Sequence, residues 1–366
     1  MLEDAGYLNV LRSLRFYVDV ILNKFRFASK RINYVVPSSG WSVDWDGEYI
    51  TRSVNNLLGT KIARVTTRYR YLRNQVIHFG SIQGFLDGGY ESHKTNRVIV
   101  TIFHGDESGD EKGVKFARKH MDRIDIVVTA CSIMEARLKS WGFSSEKVVR
   151  IPLGVDLQVF RKQETAYVNK RRKELQIPDD SICIGSFQKD GEGWGEGLTP
   201  KLIKGPDVFV ETVTRLATMY PVFVLLTGPA RGYVKQKLAE AKIPFRHDIV
   251  DDYVRMVDYY NCLDICLITS REEGGPKALL ESLACGIPLV TTDVGMVRDI
   301  INNGENGFVS PIEDIDSLIF DSSKIIDDPQ IRERFTRQGF RTISKLDWST
   351  IGEHYYQQAY SRFMVD

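Results

Sequence analysis

Two glutamates, a Gly-Gly pair and a proline share one short stretch, Ser270–Val290, which reads SREEGGPKALLESLACGIPLV. Glu273 and Glu281 have seven residues between them, with Gly274-Gly275-Pro276 directly after the first. Pro276 suits the first turn of a helix, where its missing N–H costs nothing, and Gly286 suits a C-terminal cap. A helix between them would separate the two carboxylates by roughly 10 Å along its axis, at about 1.5 Å rise per residue. That is too far apart to share one proton. It suits gripping hydroxyls at two ends of one extended ligand, with a diphosphate between them at the helix start. Backbone N–H groups and the positive end of the helix dipole favour an anion there. Gly274 and Gly275, lacking Cβ, let a phosphate or sugar approach the backbone closely. A nucleotide sugar has that shape. The competing reading is a loop glutamate and a helix glutamate at a spacing that recurs by accident.

Such a loop has to be held by strands, and the chain supplies them. Apolar runs alternate with helical patterns, the signature of a parallel sheet covered on both faces. Candidate strands in the first half are Ile32–Val36, Ile62–Thr66, Val76–Phe79, Val98–Phe103, Ile126–Thr129 and Val148–Ile151. Helices fit Glu48–Leu58, Lys112–Met121 and Ser132–Trp141. The second half restarts with a strand at Ser181–Ser186, followed by strands at Val222–Thr227, Ile265–Thr269 and Pro288–Thr292. Helices between them fit Pro206–Met219, Gly232–Ala241 and Asp252–Asn261. Between Lys189 and Lys204, glycines at 191, 193, 195 and 197 exclude regular structure and read as a mobile loop, closing on a ligand or inserted without order. It is no Walker A loop, because no G-K-[ST] ends it.

Composition sets bounds. With 366 residues and 43% hydrophobic content the chain buries two ordinary cores. A net charge of +1 gives no global attraction to nucleic acid. The five cysteines form no C-x-x-C and read as buried reduced thiols of a cytosolic protein. No apolar run approaches the ~18 residues of a membrane span, and no signal peptide is expected.

The segment around Glu273 resembles the donor-site signature of glycosyltransferase family 4, retaining enzymes of the GT-B fold, in its EGGPxxLLE variant. A second stretch, Ile124–Phe160, resembles the end of that family's first domain and its crossover element (Pro152, Gly154, Val155, Asp156, Phe160). The resemblance extends roughly from Arg31 to Phe363. It implies two Rossmann-like doubly wound domains with a cleft between them. The segments expected are an N-terminal amphipathic stretch 1–30, an acceptor domain 31–160, a donor domain 161–345 and a C-terminal helix 346–366 returning to the first domain.

The resemblance also assigns residues. Glu273 would hold sugar hydroxyls, Glu281 the ribose, and Gly274, Gly275 and Pro276 the phosphates. His104, at the end of the strand VIVTIF, would face the donor sugar, whereas His78 reads as structural. The family places two basic residues on the pyrophosphate, in a G-R and a following K-G. Lys204-Gly205 matches the second; after Gly185 no arginine stands, and Lys189 is the nearest substitute. Gly40 is the counterpart of a glycine-rich turn after the first strand. Asp44-Trp45-Asp46 copies a D-x-D metal motif of another fold; at a helix start it reads instead as helix-stabilising, with Asp44 or Asp46 contacting the acceptor.

The function implied is retaining transfer of a sugar from a nucleotide-sugar donor to a glycan or lipid-linked acceptor, in surface polysaccharide or glycolipid synthesis. No metal or other cofactor is expected. A related enzyme of other chemistry (phosphorylase, sugar-nucleotide epimerase) or a catalytically silent glycan binder are the alternatives. Leu11, Leu14, Val18, Ile21 and Phe25 make an apolar stripe among basic residues, and Lys61–Arg73 carries basic residues with Tyr69 and Tyr71. Both fit a cytoplasmic protein peripheral on an anionic membrane surface, or else ordinary solvated faces.

Overall fold

In the computed structural model, which describes residues 17–18, 21, 29–37, 42–105 and 112–364, the apolar runs pair as parallel strands in two six-stranded sheets. The chain divides into two compact units. The first holds the described residues up to Thr129, Met134–Ile151 and those from Trp348 onward; the second holds Ala130–Ile133 and Pro152–Asp347. Among the described residues no helix is long and apolar enough to cross a membrane. All five cysteines are buried, and none is in a disulfide.

The first sheet comprises β1 (Ile32–Val35), β2 (Ala63–Thr66), β3 (Val76–Phe79), β4 (Arg97–Thr101), β5 (Ile126–Thr129) and β6 (Val148–Arg150). Its order is β2-β1-β3-β4-β5-β6, so the winding reverses between β1 and β3. β1, β3 and β5 are buried at every position, as strands covered on both faces must be. The first helix runs Ser42–Leu58, longer at its start than the Glu48–Leu58 expected from periodicity, and takes in both aspartates of the D-x-D. The C-terminal helix Trp348–Tyr355 lies along it: Trp348 stacks on Tyr49 at 5.4 Å, and a Cβ on Gly352 would come within 2.3 Å of Ser53 Cβ. Tyr356–Tyr360 then widens into a π turn, which carries the Tyr360 hydroxyl to the sheet.

The second sheet comprises β7 (Ile182–Phe187), β8 (Val222–Thr227), β9 (Phe245–Asp248), β10 (Ile265–Ile268), β11 (Leu289–Thr292) and β12 (Phe308–Ser310). Its order is β12-β11-β10-β7-β8-β9. The chain therefore winds outward from β7 to β9, returns to the middle, and winds the other way from β10. Ile184, Val224 and Ile265 of the sheet pack with Phe209, Val213 and Leu238 of the flanking helices in one buried core. Burial of each such side chain is worth about 1.5–3 kcal/mol before entropy is counted. The two places where the chain enters and leaves this unit are tied together: Val155 N donates to Leu346 O (3.0 Å) and Leu157 N to Asp347 Oδ2 (3.3 Å).

His78 is the polar centre of the first unit. It is fully buried on β3, with Nδ1 2.7 Å from Tyr360 Oη and Nε2 2.8 Å from Thr101 Oγ1. Burial pushes its pKa from 6.5 down to about 3. The folded protein therefore holds a neutral imidazole while an unfolded chain would protonate. The stability gained is complete above pH 6.5 and is lost as pH falls from 6.5 towards about 3. The slope there is up to about 1.4 kcal/mol per pH unit. Denaturant titrations between pH 7 and pH 4 should show that slope in the wild type and a flatter one in His78→Gln. Equal slopes would mean that other groups carry the acid sensitivity.

Candidate functional site

The carboxyl ends of β7 and β10 adjoin where the winding of the second sheet reverses, the place where open α/β sheets leave a crevice. Two loops leave from it: residues 188–205 after β7 and residues 269–276 after β10. Lys204 ends a single 3-10 turn, Leu202–Lys204, and Gly205 follows in the left-handed region at φ +61°. Only glycine fits there, since a Cβ would lie 1.9 Å from Thr269 O. The close approach is closed by Thr269 Oγ1, which donates to Gly205 O at 2.8 Å.

Arg271 fastens the second loop to the first. Its backbone N donates to Ile203 O (2.9 Å), and its guanidinium forks onto Asp207 at 2.8 and 2.7 Å. The same side chain reaches Leu202 O at 2.6 Å and Glu313 Oε1 at 2.5 Å. The Arg271 hydrogen bonds hold the Asp207 carboxyl below its ordinary range.

Held this way, Lys204 and Glu273 meet. Lys204 Nζ donates to Glu273 Oε1 at 2.6 Å, with the side chains 24% and 12% exposed, and Ser270 Oγ donates to the same oxygen at 3.0 Å. Both bonds go to Oε1. Oε2 keeps its acceptor capacity, and the ammonium keeps donors beyond the one used. An anion beside Lys204 and a hydroxyl beside Glu273 Oε2 are the ligand groups this arrangement can hold.

The helix after Glu273 runs Lys277–Cys285, so Pro276 stands at its N-cap rather than inside its first turn, and Gly286 closes it at φ +72°. Glu281 lies inside that helix, 4% exposed, and accepts a hydrogen bond from the Tyr253 hydroxyl. Gly275 also has a packing reason to lack a side chain. A Cβ there would meet Met296 Sδ at 2.6 Å and Leu153 Cδ1 at 2.9 Å, so the protein itself occupies that space. Gly274 O accepts from Met296 N at 3.1 Å.

Lys189 is not drawn to Glu273. Its ammonium sits 4.0 Å from the ring centre of the exposed Trp194. The glycine-rich loop between the lysines carries hydrogen bonds to its surroundings. Glu192 N donates to Thr199 O (2.9 Å), Gly232 N to Glu196 O (2.6 Å) and Tyr233 N to Gly197 O (2.9 Å). Two of its glycines serve close packing: a Cβ on Gly191 or Gly197 would lie 2.3 Å from Ala230 O, whereas one on Gly193 or Gly195 would meet nothing within 4 Å.

In the first unit His104 is exposed, just beyond the end of β4. Asp44 is half-buried in the first turn of helix Ser42–Leu58. Asp46 is 2% exposed on the helix face that carries Ile50 and Val54, beside the buried phenols of Tyr34 and Tyr355. It is thus turned into the unit, because the helix starts earlier than expected and puts it in register with that apolar face. Gly40 and most of the apolar stripe Leu11–Phe25 lie outside the described residues. Among the described residues no group of three or more His, Cys, Asp or Glu is placed to hold a metal ion. Sequence reasoning passed over Ser270, Arg271 and Tyr253. Arg271, next to the motif glutamates, was the one with a positional signal.

Comparison with known proteins bears on this half of the chain most directly. Residues 198–342 match the family of glycosyl transferases group 1. That stretch contains Lys204, Glu273 and Glu281. Among relatives, the lipopolysaccharide core biosynthesis mannosyltransferase LpsB of Rhizobium meliloti is 28% identical over 152 residues, 39% of this chain and 43% of the relative. The D-inositol 3-phosphate glycosyltransferase of Kribbella flavida is 24% identical over 223 residues, 57% of this chain and 49% of the relative. The matches thus span about half the length of these relatives. The crystal structure of Anabaena HepE in complex with UDP and glucose superposes with a TM-score of 0.72 at 16% identity, over 90% of this chain and 98% of that one. The fold is GT-B, built from two Rossmann-like units.

Proposed function

We propose that this chain is a retaining glycosyltransferase of family 4, moving a sugar from a nucleotide-sugar donor to a glycan or lipid-linked acceptor in surface polysaccharide or glycolipid synthesis. The observation that carries the reading is the Lys204–Glu273 pair, built from two loops at the winding reversal and half-used by the protein itself. The match to glycosyl transferases group 1 and the relative named for lipopolysaccharide core synthesis support it.

The chemistry divides as follows. The bond from the sugar's anomeric carbon to the donor's phosphate oxygen breaks while the acceptor oxygen bonds to the same face. The acceptor proton passes to the departing phosphate oxygen. Positive charge grows on the sugar and negative charge on the diphosphate. Lys204, Lys189 and the backbone at Gly274-Gly275-Pro276 stabilise the diphosphate. Glu273 Oε2 holds a sugar hydroxyl, Glu281 takes the ribose, and His104 orients the sugar. Asp44 is assigned to the acceptor.

A thermal-shift screen of UDP-, GDP- and ADP-sugars identifies the donor, since a ligand bound to the native state raises its stability. With that donor, Glu273→Ala should lower kcat/KM thirtyfold or more, a loss of about 2 kcal/mol of transition-state stabilisation. An unchanged circular dichroism spectrum would show that the fold survives. Wild-type turnover in this variant would remove Glu273 from the site.

The reaction proposed uses no metal. Activity should survive exhaustive EDTA treatment. A strict loss restored by Mn²⁺ or Mg²⁺ would count against the mechanism.

The acceptor side of the proposal is a peripheral position on an anionic membrane. Lys61, Arg68, Arg70 and Tyr71 are exposed, as are Val18 and Ile21. Tyr69 is buried, its hydroxyl on Asp87 O, and Arg64 donates to Asn33 Oδ1, so the surface is smaller than the sequence suggested. Each basic residue near an anionic leaflet contributes about 1 kcal/mol, screened by salt. Sedimentation with anionic vesicles should detect binding at low salt that fades at high salt and drops in Arg68→Gln/Arg70→Gln. Absence of binding at low ionic strength would favour a soluble acceptor.

A further inference from the structure

One ion pair lies beneath the loop that carries the ligand groups. Asp190 and Arg231 are both removed from water, with Arg231 Nε 3.0 Å from Asp190 Oδ1. The rest of the guanidinium spreads over backbone. Nη1 donates to Ser186 O (2.7 Å), Gln188 O (2.9 Å) and Thr227 O (2.9 Å), and Nη2 to Ser186 Oγ (3.1 Å). One side chain thus ties the carboxyl end of β7 to that of β8. Around it Ala230 is held in the left-handed region at φ +55°, a conformation a side chain rarely adopts, and Lys201 N donates to Asp190 O at 2.8 Å.

Removing two charges from water is expensive, and well-packed apolar residues of similar volume often serve stability as well or better. Burial raises the Asp190 carboxyl even with Arg231 beside it. The pair's position suggests what it is kept for. Lys189 directly precedes Asp190. Gln188, whose carbonyl is bonded to Arg231, donates its side-chain amide to Lys204 O at 3.1 Å. The guanidinium reaches both candidate phosphate-binding lysines through one intervening residue and touches neither.

We propose that Asp190 and Arg231 are positioning residues, fixing the 188–204 loop so that Lys189 and Lys204 meet a nucleoside diphosphate in a preset arrangement. The proposal rests on the donor-site reading above. It deepens that reading by accounting for a site that has no arginine after Gly185: the guanidinium lies under the loop and orders the lysines.

Calorimetric titration with UDP, GDP and ADP, continued with whichever binds tightest, tests it. Asp190→Asn should weaken binding about tenfold or more. Should that variant fail to fold, the double variant Asp190→Leu/Arg231→Met, which replaces the pair by apolar groups, serves in its place and should show the same loss. Lys204→Met should cost a smaller factor in the double variant than in the wild type, because the lysine is already misplaced there. Arg231→Lys, which keeps the charge and loses the spread of bonds, should fall between. A lower melting temperature with unchanged affinity, or an equal Lys204→Met factor in both backgrounds, makes the pair merely structural and overturns the inference while the donor reading stands. A wild type that binds none of the three diphosphates overturns the donor reading, and this inference with it.

Discussion

The site depends on the winding of the second sheet changing direction between β7 and β10. Strands β7 to β9 are laid down on one side and β10 to β12 on the other, so the loops leaving the two central strands come together at the point of reversal, where open α/β sheets bind ligands. The residues that meet there, Lys204 and Glu273, are far apart in sequence. They become neighbours because parallel pairing of Ile265 with Ile184 and Cys266 with Gly185 fixes where both strands end. A one-residue slip of that register would turn every side chain of β10 to the opposite face.

Placing two loop side chains within hydrogen-bond distance takes more than two strand ends. The protein brings backbone onto backbone through glycines: Gly205 against Thr269 O, Gly295 against Glu273 O and Gly274 O, Gly191 and Gly197 against Ala230 O. Charged side chains then cap the groups these approaches leave behind. Arg271 does so at the edge of the crevice and Arg231 beneath it. Lys204 and Glu273 sit between two such fastenings, and the proposed reaction needs groups held in place in this way.

The first unit solves a different problem. Its last segment has to return and pack against the helix that follows β1. Trp348 stacks on Tyr49, Gly352 lets two helices touch, and the π turn brings Tyr360 to His78. His78 is kept neutral by burial and uses both ring nitrogens. It holds structure, and the exposed His104 one strand further on stays available.

The sequence by itself determined the fold class and most strands, because buried parallel strands are largely apolar runs such as VFVLLT and ICLI. It did not disclose β9, whose FRHD is half-buried at the sheet edge and carries no apolar run, or the three-residue β12. It also singled out Glu273 and Glu281, since a glycine-proline loop before an apolar helix has local reasons to exist; Lys204 stood out only through the family resemblance. Tertiary structure alone decided that Lys204 pairs with Glu273, that Met296 and Leu153 fill the space a Gly275 Cβ would take, and that Asp46 is buried. It alone ordered the glycine-rich loop around Asp190 and Arg231. These outcomes rest on contacts between segments distant in the chain. Local spacing encodes the period of a helix or strand, but not which backbone a missing Cβ will admit or which carboxylate a buried guanidinium will find.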